Sequence, residues 1–367
     1  MSKFKNMIPL DEPVFNGNEK KYVNDCFKNG WISWQGKYVN KFEKKFSSIV
    51  GCKYATSTAN GTDALIIALK ALNIKKGDEV IVPSLTFSAS VFSISEVGAK
   101  PVFIDVKQRS LDIDVSKIQK AINKKTKAIM VVHLYGRPIE MDKLLIIAKK
   151  NNLRVIEDCA ESLGAKFKNK MTGSFSDIAC FSFHNKLIAT GEGGMILTNN
   201  HNLIRRINLL RNPAPDNRTN FKDISLNSRM SNVNSAIGLG QLENLKKFVY
   251  RKRLIAKYYK KYLKDVKEID FFYENKNCVS TYWRHSILIK NNKIRNKLIK
   301  YLKKRNIFCR GLFYPMHLHP LYKNKKNSLP YSEYVSNNSI DIPSSINLNE
   351  TKIKYISKCI KKFFNEN

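Results

Sequence analysis

Between residues 55 and 200 the chain alternates short apolar runs with amphipathic stretches, and this alternation constrains the fold more than any other feature. The apolar runs are Glu79–Val82, Pro101–Val106, Ala128–Val132, Leu153–Glu157, Ile178–Phe183 and Met195–Thr198. The stretches Asp63–Leu72, Ser88–Glu96, Val115–Ile122 and Met141–Lys150 carry helical spacing. Strands separated by helices form βαβ units, which build a mostly parallel sheet covered on both faces. Ligands of such sheets sit at the carboxyl ends of the strands.

The pattern changes near Gly240. From Gln241 to Val266 a long basic helix is expected, with apolar positions at Leu242, Leu245, Val249, Ile255, Tyr259, Tyr262 and Val266. Beyond it, Ser286–Ile289 and Phe308–Leu312 read as strands, and Lys293–Lys304 and Thr351–Phe364 as helices. The expected organisation is a large domain over residues 1–240 and a smaller α/β domain over 241–367, with the first 50 residues packing across both.

Composition removes several function classes. The chain has 367 residues, 43% hydrophobic and 26% charged, a globular balance. No apolar run approaches the roughly 18–20 residues of a membrane span, and no apolar core follows Met1, so a cytoplasmic protein is expected. The 7 cysteines are scattered and lack CxxC, which reads as reduced thiols. The net charge of +35 would suit a nucleic-acid binder. However, the basic residues run from end to end, as in Asn123-Lys124-Lys125, with no arginine-rich arm or recognition-helix pattern. Such a field would instead draw in a phosphorylated small molecule. His133 and His285 lie in apolar runs and read as satisfied core residues. His317 and His319 lack partners at metal spacing, so no metal is expected.

The chemistry concentrates at 178–194. A strand-type run ends near Lys186, a glycine-rich turn Gly191-Glu192-Gly193-Gly194 follows, and a second strand begins. A lysine between two buried strands is expected to be desolvated, and a neutral amine suits Schiff-base chemistry with an aldehyde. Thr58-Ala59-Asn60-Gly61-Thr62 opens a helix, where free backbone N–H groups can bind an anion. Phe87 closes a strand-end segment and could stack on a planar ring. Asp158 ends another strand and could hold a pyridine nitrogen protonated. An N-cap, a core aromatic and a capping acid would each explain one of these alone. The set, at one edge of one sheet, matches what pyridoxal phosphate requires.

These segments, together with Gly30-Trp31-Ile32-Ser33, Gly98-Ala99-Lys100-Pro101-Val102-Phe103, His133-Leu134-Tyr135-Gly136, Glu157-Asp158-Cys159-Ala160-Glu161, Asn227-Ser228-Arg229-Met230-Ser231-Asn232 and Tyr314-Pro315-Met316-His317, resemble the DegT/StrS-type sugar aminotransferases. The resemblance covers nearly the whole chain. It implies an α/β fold of the type I, aspartate-aminotransferase-like class of pyridoxal-phosphate enzymes. Lys186 would be the Schiff-base lysine, Asp158 the pyridine partner, Phe87 the stacking ring, and Glu161 a neighbour of the phenolic oxygen. Gly61, Thr62 and Ser182 would hold the phosphate. The family is dimeric, and Asn227 would reach the phosphate of the neighbouring subunit. His317, Tyr314 and Arg229 would contact the sugar.

The implied reaction moves an amino group from L-glutamate to a nucleotide-linked 4-keto-6-deoxy sugar. The expected sugar is GDP-linked, with a UDP- or dTDP-linked acceptor, aminated at carbon 4 or 3, as the alternative. Two departures from the family pattern stand out. Only His184 and Asn185 separate Phe183 from Lys186 where three residues are usual, so Ser182 or Lys186 must shift. The loop from Arg211 to Asn227 is also about two residues short, and that loop shapes the substrate site.

Overall fold

The computed structural model describes residue 4 and residues 6–213, 224–323 and 328–366. The apolar runs become strands. In chain order they include β1 (Tyr54–Thr58), β2 (Glu79–Pro83), β3 (Lys100–Ile104), β4 (Thr126–Val132), β5 (Arg154–Asp158), the short pair β6 (Lys166–Phe167) and β7 (Lys170–Met171), β8 (Ile178–Ser182) and β9 (Gly194–Thr198). Seven of them form one sheet in the order β1-β9-β8-β5-β4-β2-β3. All ladders from β8 to β3 are parallel, and β9 alone runs antiparallel to both its neighbours. The sheet is therefore mostly parallel, as expected. Every residue of β2 and of β9 is buried, as in a sheet covered on both faces.

Helices α1 (Glu19–Lys28), α2 (Lys37–Val50), α3 (Gly61–Ala71), α4 (Ser88–Glu96), α5 (Val115–Ala121), α6 (Met141–Lys150) and α7 (His201–Arg211) accompany this sheet. The ends of α4 and α6 match the sequence reading. β3 stops two residues short of the expected Val106, which instead bridges Ile113 across a turn. β1 was not anticipated, because Tyr-Ala-Thr-Ser-Thr has no apolar run. Its buried hydroxyls are satisfied one by one: Thr56 by Asn208, Ser57 by Glu43 and Thr58 by the carbonyl of Asn60. A polar strand can be buried when each hydroxyl has a partner.

The expected helix Gln241–Val266 is two helices. α8 (Asn232–Glu243) ends at Asn244, and α9 (Leu245–Leu263) starts after it. Gly240 lies inside α8, not at a boundary. A Cβ there would fall 2.7 Å from the backbone nitrogen of Glu19, so the glycine marks where α8 and α1 touch. A second sheet follows, ordered β10-β12-β14-β13. Its strands are β10 (Ile269–Phe271), β12 (His285–Ile289), β13 (Arg310–Gly311) and β14 (Ser339–Ile342); the two-residue β11 (Cys278–Val279) pairs with β6. Helices α10 (Asn292–Lys303), α11 (Pro330–Asn338) and α12 (Glu350–Asn365) complete it. Ile255 and Tyr259 of α9 are buried with Ile287, Ile340, Leu298 and Ile356 in one apolar cluster. The expected apolar position Tyr259 is thus core. Ile8 joins the same cluster and bridges Ile307, which ties the N-terminal segment to the second sheet. Among the described residues no helix is long and apolar enough to cross a membrane.

Candidate active site

Strands β1, β2, β4, β5 and β8 point their carboxyl ends toward one cavity of about 680 Å³. Its lining includes Asn60, Gly61, Thr62, Phe87, Asp158, Glu161, Ser182 and Lys186. The sheet thus brings together seven of the residues singled out in the sequence for the cofactor.

Asp158 ends β5 and is buried. Its Oδ2 accepts from Ser90 Oγ at 2.7 Å and its Oδ1 from the Ala160 N–H at 3.1 Å. Burial pushes its carboxyl above the usual range, and the Ser90 and Ala160 bonds pull it back only in part. Ser90 Oγ also meets Thr86 Oγ1 at 2.8 Å, which links Asp158 to the turn that carries Phe87. Phe87 is 53% exposed, facing the cavity, and its ring centroid lies 5.7 Å from that of Phe313.

Gly61 and Thr62 open α3. Asn60 caps the helix by accepting from the Asp63 N–H at 2.8 Å. That leaves the first two N–H groups of the helix without an intrahelical acceptor. A Cβ on Gly61 would lie 2.6 Å from Ser182 Cβ, so only glycine lets the helix start meet Ser182. The missing residue before Lys186 is accommodated at Asn185, whose φ of +43° is left-handed. Ser182 stands beside Gly61.

Lys186 differs from expectation in its surroundings. Its side chain is 17% exposed, and Nζ sits 3.4 Å from Glu161 Oε1 and 4.1 Å from the Trp283 ring centroid. The amine is partnered, not stranded between strands. Glu161 is itself held, its Oε2 accepting from the Tyr135 N–H at 2.8 Å.

Four expected residues lie outside the cavity lining. Asn227 is exposed and accepts from Arg229 Nη2 at 2.8 Å, while the Arg229 guanidinium stacks over Trp34 at 4.8 Å. Tyr314 is 58% exposed. His317 is 1% exposed, bonded to Ser84 and Glu333, so it does not face the cavity as expected of a sugar ligand. Residues 214–223 of the expected substrate loop lie outside the described residues. His133 is satisfied as expected, by Glu157 and the Ile139 N–H. His285 is core but keeps a buried Nε2 without a partner.

The sequence reading missed Trp283, Arg284, Arg310 and Phe313, which line the opposite wall. They come from β12, β13 and their flanks, and no periodicity connects them to the first sheet. The run Tyr282-Trp283-Arg284 before a strand was the one available signal.

The residues fit pyridoxal phosphate on this structure's own features. Asp158 is a buried carboxylate raised by desolvation, which a pyridinium N–H would relieve. The Gly61 cradle would be filled by any side chain. Lys186 lines the same cavity.

Residues 14–361 match the DegT/DnrJ/EryC1/StrS aminotransferase family. The chain is 43% identical over 362 residues to a GDP-perosamine synthase of Escherichia coli O157:H7, covering 98% of this chain and 99% of that protein. It is 39% identical over 366 residues to a GDP-perosamine synthase of Vibrio cholerae, covering 98% and 100%. Its fold superposes with a TM-score of 0.93 on Helicobacter pylori PseC, an aminotransferase involved in pseudaminic acid biosynthesis, at 26% identity and covering 99% of this chain and 100% of that one.

Proposed function

The chain belongs to the DegT/DnrJ/EryC1/StrS aminotransferase family and is a pyridoxal-phosphate-dependent sugar aminotransferase, and from that premise we propose that it converts GDP-4-keto-6-deoxymannose to GDP-perosamine with L-glutamate as amino donor. The similarity to two GDP-perosamine synthases over almost the full chain is the observation that supports the acceptor. We place the enzyme in the cytoplasm as a homodimer that feeds surface-polysaccharide synthesis, with Asn227 reaching the partner's cofactor phosphate.

When bound, pyridoxal phosphate supplies an aldehyde that holds amines covalently and a ring that takes up the charge of a deprotonated carbon. The protein's part is binding, orientation and proton transfer. The Gly61 and Thr62 N–H groups and the Ser182 hydroxyl receive the phosphate, aided by the α3 dipole. Phe87 would stack on the ring. Asp158 holds the proton on the pyridine nitrogen, because a carboxylate favours the charged form beside it. Glu161 and the Trp283 face keep Lys186 Nζ inside the cavity. From there Nζ takes a proton from the α-carbon of the glutamate that gives up its amine and delivers one to the sugar carbon that gains it. Positioned proton transfer of this kind contributes about 10²–10⁴-fold.

The test is a panel of GDP-, dTDP- and UDP-linked 4-keto-6-deoxy sugars with L-glutamate, read by mass for replacement of the keto oxygen by an amine. The GDP sugar should be aminated at carbon 4 and turn over fastest. A dTDP or UDP sugar preferred over it, or an amine at carbon 3, would replace this acceptor.

A further inference from the structure

His317 makes contacts that a substrate ligand would not need. Its Nδ1 lies 2.7 Å from Ser84 Oγ and its Nε2 lies 3.1 Å from Glu333 Oε1. Its backbone N–H also donates to Ser84 Oγ at 3.2 Å, and the neighbouring Met316 N–H donates to the Ser84 carbonyl at 2.8 Å. Ser84 and His317 are both fully enclosed. The Ser–His–Glu order is that of a hydrolytic triad, but a hydroxyl with no exposed surface and no place in the cavity lining meets no substrate.

The elements being joined give the contacts a purpose. Ser84 directly follows β2 and begins the turn that carries Thr86 and Phe87 into α4. Glu333 sits in the first turn of α11 and accepts from the Leu329 N–H at 3.3 Å. The same helix start is pinned to Asp105, just past β3, which accepts from Ser332 N–H at 2.8 Å and Tyr331 N–H at 3.2 Å. Residues 316–317 and the start of α11, which leads into the second sheet, are therefore bolted to the carboxyl edge of the first. The far side of the bolted turn is Phe87 against Phe313 and the chain Thr86–Ser90–Asp158.

We propose that His317 is a positioning residue: through Ser84 it clamps the 84–90 turn, and so fixes Phe87 and Asp158 in the geometry that the cofactor ring requires. This rests on the assignment of Phe87 and Asp158 to that ring. Glu333 orients the imidazole from behind, and Ser84 is the contact that transmits the clamp.

Two substitutions separate the two ends of the histidine. In His317→Asn the amide stands near Nδ1 and retains a partner for Ser84. In His317→Gln the amide stands near Nε2 and retains a partner for Glu333. Ser84→Ala removes one oxygen and leaves the volume nearly intact, so it is readable even if His317→Gln does not fold. Uptake of pyridoxal phosphate by the wild-type protein, measured first by equilibrium dialysis, tests the cofactor reading by itself. Each variant is then measured for cofactor dissociation constant, visible circular dichroism of bound cofactor, single-turnover reaction with L-glutamate alone, sugar-nucleotide KM, and melting of the cofactor-free protein.

Ser84→Ala and His317→Gln should each weaken cofactor binding about tenfold, the scale of one lost buried hydrogen bond. Both should reduce the visible dichroism and slow the glutamate reaction, and their combination should be no worse than either. His317→Asn should stay close to wild type. Wild-type cofactor binding and glutamate reaction in Ser84→Ala and His317→Gln, with only the sugar-nucleotide KM raised, would make His317 a substrate ligand and overturn the proposal. The same result with only the melting temperature lowered would make it a structural prop and overturn it equally.

Discussion

Lys186 Nζ sits 3.4 Å from the Glu161 carboxylate and 4.1 Å from the Trp283 ring centroid, in a cavity that its removal would enlarge without unpacking a core. Lys186→Ala should therefore leave the fold intact while turnover falls by about 10³-fold or more, since the proton carrier is lost along with the covalent anchor. Release of 2-oxoglutarate from L-glutamate, alongside a thermal melt, checks both halves. A near-normal rate would remove Lys186 from the chemistry. At Asp158 an amide keeps the shape but loses the charge. Asp158→Asn should still bind the cofactor while turnover drops about 10- to 100-fold, the scale of one charge-assisted hydrogen bond. At this scale the sequence was legible wherever a residue is marked by its own neighbours. Lys186 sits beside a glycine-rich turn, and Asp158 ends an apolar run. Their partners were less legible. Trp283 lies almost a hundred residues downstream of Lys186, and nothing near it encodes that approach. The setting of His317 was illegible for a related reason, because a motif carries a residue type but not the Ser84 hydroxyl that captures it.

Among the elements, the first turn of α3 carries two separable jobs. Asn60 caps the helix through its side chain, and Gly61 lets the helix start touch Ser182. Asn60→Ala should lower stability by about 1 kcal/mol, read as a shifted denaturant midpoint of the cofactor-free protein. Gly61→Ala should act mainly on the ligand. Its Cβ would fall 2.6 Å from Ser182 Cβ, displacing the serine and the first helical N–H groups together. Cofactor affinity should fall at least about tenfold, the scale of one lost hydrogen bond. Unchanged affinity in Gly61→Ala would move the phosphate elsewhere. Elements were readable where one period ran unbroken, as in α4 and α6. They were not readable where the period changed sense. Gly240 looked like a boundary but serves the contact of α8 with α1, and Asn244, which does divide α8 from α9, carries no breaker signal. The strand β1 was hidden because its buried side chains are hydroxyls, each with a private partner.

For the whole molecule, two sheets share one cavity, and the second sheet reaches it through β13 and through the start of β12. That strand delivers Trp283 and Arg284 to the cavity and, one residue later, His285 to the core. The imidazole stacks on Tyr259 at 5.1 Å, nearly parallel at 8°, and its Nε2 has no partner. Burial, assisted by Lys260 and Arg137, depresses its pKa from 6.5 to about 3. The sign follows from which state takes up the proton. Below 6.5 the unfolded chain binds a proton at this position and the folded chain does not. Stability from this residue is therefore present at neutral pH and lost on acidification, by about 1.4 kcal/mol per pH unit until the folded value is reached. Asp112, raised to about 6 by burial, titrates in the opposite sense, so wild type alone cannot isolate the effect. The difference between wild type and His285→Phe can, because the other groups cancel. Denaturant unfolding of the cofactor-free proteins at pH 7.5 and pH 5 should show wild type losing about 2 kcal/mol relative to the variant over that interval. Parallel losses in the two proteins would mean that the strand carrying Trp283 rests on a histidine that water reaches, and the rigid delivery of that ring to Lys186 would need another source.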